Sequence, residues 1–274
     1  MKNKLWLKIV IGVVVLAILG ATAGPFIYIH FIKDDAPKSV EEQGLPTRSD
    51  DPATTIVTTP DVTAATTVAT ADSAAGTTSA STADTTGAST ADGAGETYAL
   101  TMSDDVTVNY VGYRVTENLF GQDTEGVGRT TSVTGSLTLD GSSITSADFT
   151  VDMTTLKSDE DNRDRKFKGE IMETSKFPTA TFAITQPIEL GSVPADGTEI
   201  TASATGDLTL HGVTKSVTLD VTAQRNGGVI DVLSSTNVKF ADYDIDNPSN
   251  GAVTTDDNGT IEFLLTFTKG RTRD

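Results

Sequence analysis

Gly206-Asp-Leu-Thr-Leu-His-Gly-Val-Thr-Lys-Ser-Val-Thr-Leu-Asp-Val221 decides the fold. Leu208 and Leu210 alternate with polar residues, and so do Val217, Leu219 and Val221. Period-two alternation on both sides of a turn predicts a β-hairpin with one buried face. Gly212 sits at the turn, where a positive φ costs glycine little.

The same arithmetic continues on either side. Downstream, Asn226-Gly227-Gly228 is a turn signal, and Ile230, Val232, Val238 and Phe240 share one parity. Asp242 to Asn258 reads as a polar loop, and Ile261, Phe263, Leu265 and Phe267 as the last strand. Upstream, Pro178 fits the first residue of a strand with Phe182 and Ile184 on one face. Before it comes a helix. Ser158 is its expected N-cap, acids stand at its start and bases at its end, and Gly169 is the expected stop. A further helical turn is expected over Glu170 to Thr174. Val133, Leu137 and Leu139, then Phe149, Val151 and Met153, mark two earlier strands. Gly121 to Gly128 reads as a loop. Val106, Val108 and Tyr110 alternate, and Val111, Tyr113 and Val115 follow in the opposite phase, which predicts one strand with a bulge or bend near Tyr110. About eight strands and a helical insertion indicate a barrel or sandwich.

The N-terminal third is different. Ile9 to Ile32 is almost unbroken apolar sequence. As a helix it would span roughly 36 Å, against a hydrocarbon core of about 30 Å. Lys2, Lys4 and Lys8 precede it, which puts the N-terminus in the cytoplasm and the rest outside. Ala21-Thr22-Ala23 offers a rival signal-peptidase site, but the apolar run continues past it. From Asp34 to about Gly95, Thr, Ala, Ser, Asp and Pro dominate, and such sequence cannot bury enough surface to order itself. The expected organisation is a cytoplasmic N-terminus over 1–8, a membrane anchor or uncleaved signal over 9–32, a disordered stalk over 33–96 with a reach of about 40–45 Å, and a β domain over 97–270. A net charge of −18 argues against a nucleic-acid partner. The absence of cysteine removes disulfides, thiol chemistry and Cys-bound zinc.

From about Tyr98 to Lys269 the chain resembles the YceI-like, polyisoprenoid-binding domain family. The resemblance is carried by Thr134-Gly135-Ser136, Val151-Asp152-Met153, Arg163-Asp164, Phe177-Pro178-Thr-Ala-Thr-Phe182 and Leu210-His-Gly-Val-Thr-Lys215, in the family's order. It implies an all-β fold, an extended eight-stranded antiparallel barrel of lipocalin-like shape with a short helical insertion. It also implies a long apolar lumen holding an isoprenoid or similar lipid. Apolarity and parity nominate Phe149, Val151, Phe167, Ile171, Phe182, Ile184, Leu208, Leu210, Phe240 and Phe263 as its wall. Two departures stand out: the anchor and stalk, and Val106-Thr-Val-Asn-Tyr110 in place of the family's commoner Ser-x-Val-x-Phe.

No catalytic residue, metal or cofactor is expected. His211 is the only histidine of the β domain and is read as a turn residue rather than a catalytic base. Asp242, Asp244 and Asp246 fail the calcium-loop frame, since Asn247 stands where glycine is required and Val253 where glutamate is. Arg163 and Asp164 are read as helix-capping and salt-bridging groups before lipid head-group contacts. The expected partners are a long-chain lipid and the membrane, with the domain outside the cytoplasm. The alternative is a stalked interaction module whose barrel is filled by its own side chains.

Overall fold

The computed structural model describes residues 36–48, 95–119, 121–251 and 253–270, all within one compact unit. The expected cytoplasmic stretch 1–8 and membrane span 9–32 lie outside them. Among the described residues no helix is long and apolar enough to cross a membrane.

Eight antiparallel strands close the barrel. In chain order they are β1 (Glu96–Leu100), β4 (Val133–Asp140), β5 (Ser143–Asp152), β7 (Thr179–Ile184), β9 (Glu199–Leu210), β10 (Val213–Asn226), β11 (Val229–Lys239) and β13 (Asn258–Lys269). Closure is made by β1 on β13, with Tyr98 opposite Lys269. β13 has a second neighbour at its other end. There β2 (Tyr110–Leu119) takes over, pairing Phe263 with Val111, and β3 (Gln122–Thr130) and β6 (Lys157–Ser158) extend the wall. Short strands β8 (Ile188–Glu189) and β12 (Val253–Thr255) complete the set.

The opening hairpin is present. β9 and β10 pair from Glu199/Gln224 to Leu210/Val213 around a two-residue turn. His211 and Gly212 both have positive φ, 51° and 78°, as a hairpin turn of matching twist requires. Leu208, Leu210 and Leu219 point inward and are buried.

Several expectations need correction. Val106 and Val108 are exposed and belong to a turn, in which the Asp105 carboxylate accepts from the Thr107 amide at 2.8 Å. The phase switch at Tyr110 marks where β2 begins, not a bulge. The register shift lies instead between Thr138 and Leu139. Residues 122–130 form a strand rather than a loop. Gly128 is needed there because any Cβ would strike the Tyr113 ring. The helix runs Asp161–Lys166 and continues as a π-turn, Phe167–Ile171, straight through Gly169. Ser158 is not its cap. Its amide and hydroxyl donate to the Asp164 carboxylate at 2.8 and 2.7 Å. The polar loop 242–258 buries Tyr243 and Ile245 and contributes β12.

The largest correction concerns the stalk. Residues 36–48 form a strap on the outside of the barrel, built around a short helix, Val40–Gln43. Ser39 and Glu42 cap it reciprocally, each side chain bonding the other's amide at 3.3 Å. Val40 is fully buried with Tyr110, Leu233 and Leu264. Leu233 and Leu264 have the parity opposite to the lumen, so β11 and β13 carry a second apolar face that the strap covers. Ordering entropy is thus offset by apolar burial and by ion pairs that composition did not reveal. The remaining stretch, 49–94, lies outside the described residues. Val40→Asp is expected to release the strap without opening the barrel. Amide exchange over 39–44 should accelerate by at least a hundredfold while the amides of β9 and β10 stay protected.

Carboxylates and guanidinium groups pair under the strap, while the buried Tyr110 hydroxyl and the Nε atoms of Arg114 and Arg129 make no hydrogen bond. The Arg48 guanidinium binds Asp231 through two bonds, at 2.6 and 2.7 Å. Glu262 accepts from Arg129 at 2.9 Å and from the Val40 amide at 3.3 Å, with Arg114 Nε 3.6 Å away. Arg129 lies over the Tyr110 ring, 3.8 Å from its centroid. Burial raises the Tyr110 hydroxyl pKa, and the Glu262 charge adds to the effect.

Candidate functional site: a two-chambered apolar lumen

The barrel is hollow. Its strands alternate, so one parity of each meets the interior. On β9 that parity reads Ile200, Ala202, Ala204, Gly206, Leu208, Leu210, and the small residues leave space where larger ones would fill it. The hollow consists of two cavities end to end. One, of about 150 Å³, lies under the helical cap and is lined by Val151, Met153, Phe167, Ile171, Leu208, Leu210 and Phe240, among others. The other, of about 120 Å³, lies towards the opposite end and is lined by Leu137, Leu139, Ile144, Ile184, Ile200, Val221 and Leu265, among others. Each has roughly ten times the space that one water needs.

All ten residues nominated as wall residues line these cavities. Ile184 faces the far chamber. Val151, Phe167, Ile171, Leu208, Leu210 and Phe240 face the capped one. Phe149, Phe182 and Phe263 face both. The strand residues get there by parity. Phe167 and Ile171 are carried in by the π-turn, and Phe240 by the 3₁₀ turn Phe240–Tyr243 that follows β11. Tyr113 stacks on Phe167 with centroids 4.8 Å apart and only 8° between planes. Its hydroxyl pKa is raised by burial. Sequence reasoning missed Tyr113, Met153, Leu219, Ile245 and the inward alanines. An alternation scan that counted alanine as inward would have found the last.

Phe149, Phe182, Leu219 and Phe263 are shared by both cavities and form the waist between them. Phe149 and Phe182 are direct cross-strand partners with centroids 5.7 Å apart. Phe263 meets the Phe149 ring edge-on at 5.4 Å. Gly206 makes room for one ring: a Cβ there would stand 2.6 Å from Phe182 Cζ.

Asp148, next to Phe149, lines the far chamber but is exposed and accepts from the Ser136 hydroxyl at 3.1 Å. Arg163 borders the capped chamber and pairs with Glu117 at 3.2 Å and with Asp159. Burial works against its charge, but these two carboxylates outweigh it and its pKa rises. At the far chamber Arg225 pairs with Asp196 at 2.9 Å. Asp164 is occupied by Ser158. His211 Nδ1 lies 3.1 Å from the Tyr243 carbonyl, and the ring packs on Phe177, so it joins the hairpin turn to two neighbouring segments. Among the described residues no group of three His, Asp or Glu is placed to hold a metal ion.

A closed eight-stranded antiparallel barrel around an apolar hollow, with a short helix over one end, defines a lipocalin-like cavity protein. The chain belongs to the YceI-like domain family, whose sequence profile matches residues 105–267. It is 30% identical to a UPF0312 protein of Vibrio parahaemolyticus over 131 residues, 43% of this chain and 64% of that one. It is 40% identical to protein YceI of Escherichia coli O6:H1 over 72 residues, 26% of this chain and 34% of that one. The chain thus spans less than two thirds of the length of either relative. Among solved structures, a polyisoprenoid binding domain from Saccharophagus degradans, implicated in plant cell wall breakdown, matches with a TM-score of 0.51 and 16% identity, over 63% of this chain and 98% of that one. That likeness is one of fold.

Proposed function

We propose that this domain binds an apolar chain, an isoprenoid or a lipid like it, within its lumen, and sequesters, carries or presents it near a membrane. The observation behind this reading is the lumen wall, apolar along its length. Apolar cavities of this size stay dry and take up apolar guests. Each buried methylene of such a guest adds about 0.8 kcal/mol. No covalent chemistry is involved, and the domain acts as a binding protein rather than an enzyme. The Saccharophagus domain of similar fold is a polyisoprenoid binding domain, which agrees with such a guest. On the same reading, the apolar run 9–32 holds the chain in the cytoplasmic membrane with the barrel on its outer side. A filled barrel serving as an interaction module is disfavoured by the two cavities.

Gentle purification of the full chain followed by native mass spectrometry is expected to show a bound long-chain lipid in near-stoichiometric amount. Protein that is reproducibly empty, and that also refuses added prenyl lipids, overturns the reading.

A further inference from the structure

We propose that the ring cluster Phe149, Phe182 and Phe263, with Leu219, sets which chain lengths the lumen accepts. The proposal rests on the lipid-binding reading above and specifies its ligand. Along β9, at about 3.4 Å per residue, the wall from Ile200 to Leu210 runs about 34 Å, and the level of Leu219 and its partner Ala204 divides it into about 14 and 20 Å. A chain short enough for one chamber is accommodated with the rings as they stand. A longer one must part them. The barrier is built from side chains on four strands: Phe149 on β5, Phe182 on β7, Leu219 on β10 and Phe263 on β13. Phe149 contacts both other rings, so their positions are interdependent. The backbone supports the arrangement. Gly206 leaves the Phe182 ring a recess in the wall, and Gly135 lets the backbone of β4 lie close to that of β5 at Phe149, whose Cα a Cβ would approach to 2.8 Å.

The test is a binding series on the delipidated full chain with geraniol, farnesol, geranylgeraniol and solanesol, run on the wild type, Phe149→Ala and Phe263→Ala. Circular dichroism checks that each variant is folded. In the wild type, affinity is expected to rise with length and then fall once the chain outgrows one chamber. In the variants the fall should move to longer alcohols, with at least a tenfold gain for the first alcohol that the wild type disfavours. A Leu219→Ala variant provides the same readout if either phenylalanine variant fails to fold. Identical length profiles in wild type and folded variants overturn the proposal. Binding of none of the alcohols by the wild type overturns the lipid-binding reading and this proposal with it.

Discussion

Glu262→Ala is expected to cost about 3–5 kcal/mol of stability, although Glu262 lies outside the lumen, because it leaves buried guanidinium charge without its carboxylate. Glu262 is fully buried on the outer face of β13, between Arg129 and Arg114. Arg114 retains Glu125 at 2.5 Å, so the loss falls mainly on Arg129 and on the Val40 amide. For a domain of this size the change corresponds to a fall of roughly 6–20 °C in Tm. Two companions separate charge from packing. Glu262→Gln keeps an acceptor and should lose less. Arg129→Met with Glu262→Leu removes both charges and should recover most of the loss, because a buried ion pair replaced by apolar side chains is often close to neutral. Thermal melts of the four proteins decide it. A Glu262→Ala melt within 2 °C of wild type, about 1 kcal/mol or less, would mean that the strap contributes little to the fold.

Leu210→Trp is expected to reduce lipid loading by about two orders of magnitude while the barrel stays folded. Leu210 ends β9 and faces the capped chamber of about 150 Å³. An indole there occupies space that some four methylenes of a guest would use, roughly 3 kcal/mol of binding. Leu210→Arg should abolish loading outright, but it also places a charge in an apolar wall, so the tryptophan variant gives the cleaner result. Lipid content per folded protein, read by native mass spectrometry, is the measurement. Unchanged loading in a folded Leu210→Trp protein would mean that the guest does not occupy this chamber.

The lumen wall was legible because parity on a strand is a one-bit property. Once Leu208 and Leu210 are taken as inward, each neighbouring strand has to place its own apolar parity inward too. The waist was not legible. It depends on how high along the barrel axis Phe149, Phe182 and Phe263 sit, and height is set by register, which alternation leaves open. The loop-like reading of 121–128 failed because Gly126 and Gly128 are there for close packing, against the Glu117–Arg163 pair and the Tyr113 ring, rather than for turning the chain. The strap left two traces that composition hid. Ser39-Val-Glu-Glu42 has the spacing of a capping box, and Leu233 and Leu264 are apolar on the wrong parity for the lumen. A four-residue helix is too short to show periodicity, and an outward leucine looks like noise until its cover is known.

The strap also changes what a tether in this protein can do. The chain is stitched to the barrel through Arg48 and Asp231, and it is stitched again where β1 begins at Glu96. Residues 49–94 join these two points in the sequence, so altering their length should leave the mooring where it is. If residues 9–32 do lie in a bilayer, only Lys33 to Asp35 separate that span from Ala36. Fully extended, that is about 14 Å of chain, so the barrel would ride on the bilayer surface rather than float above it.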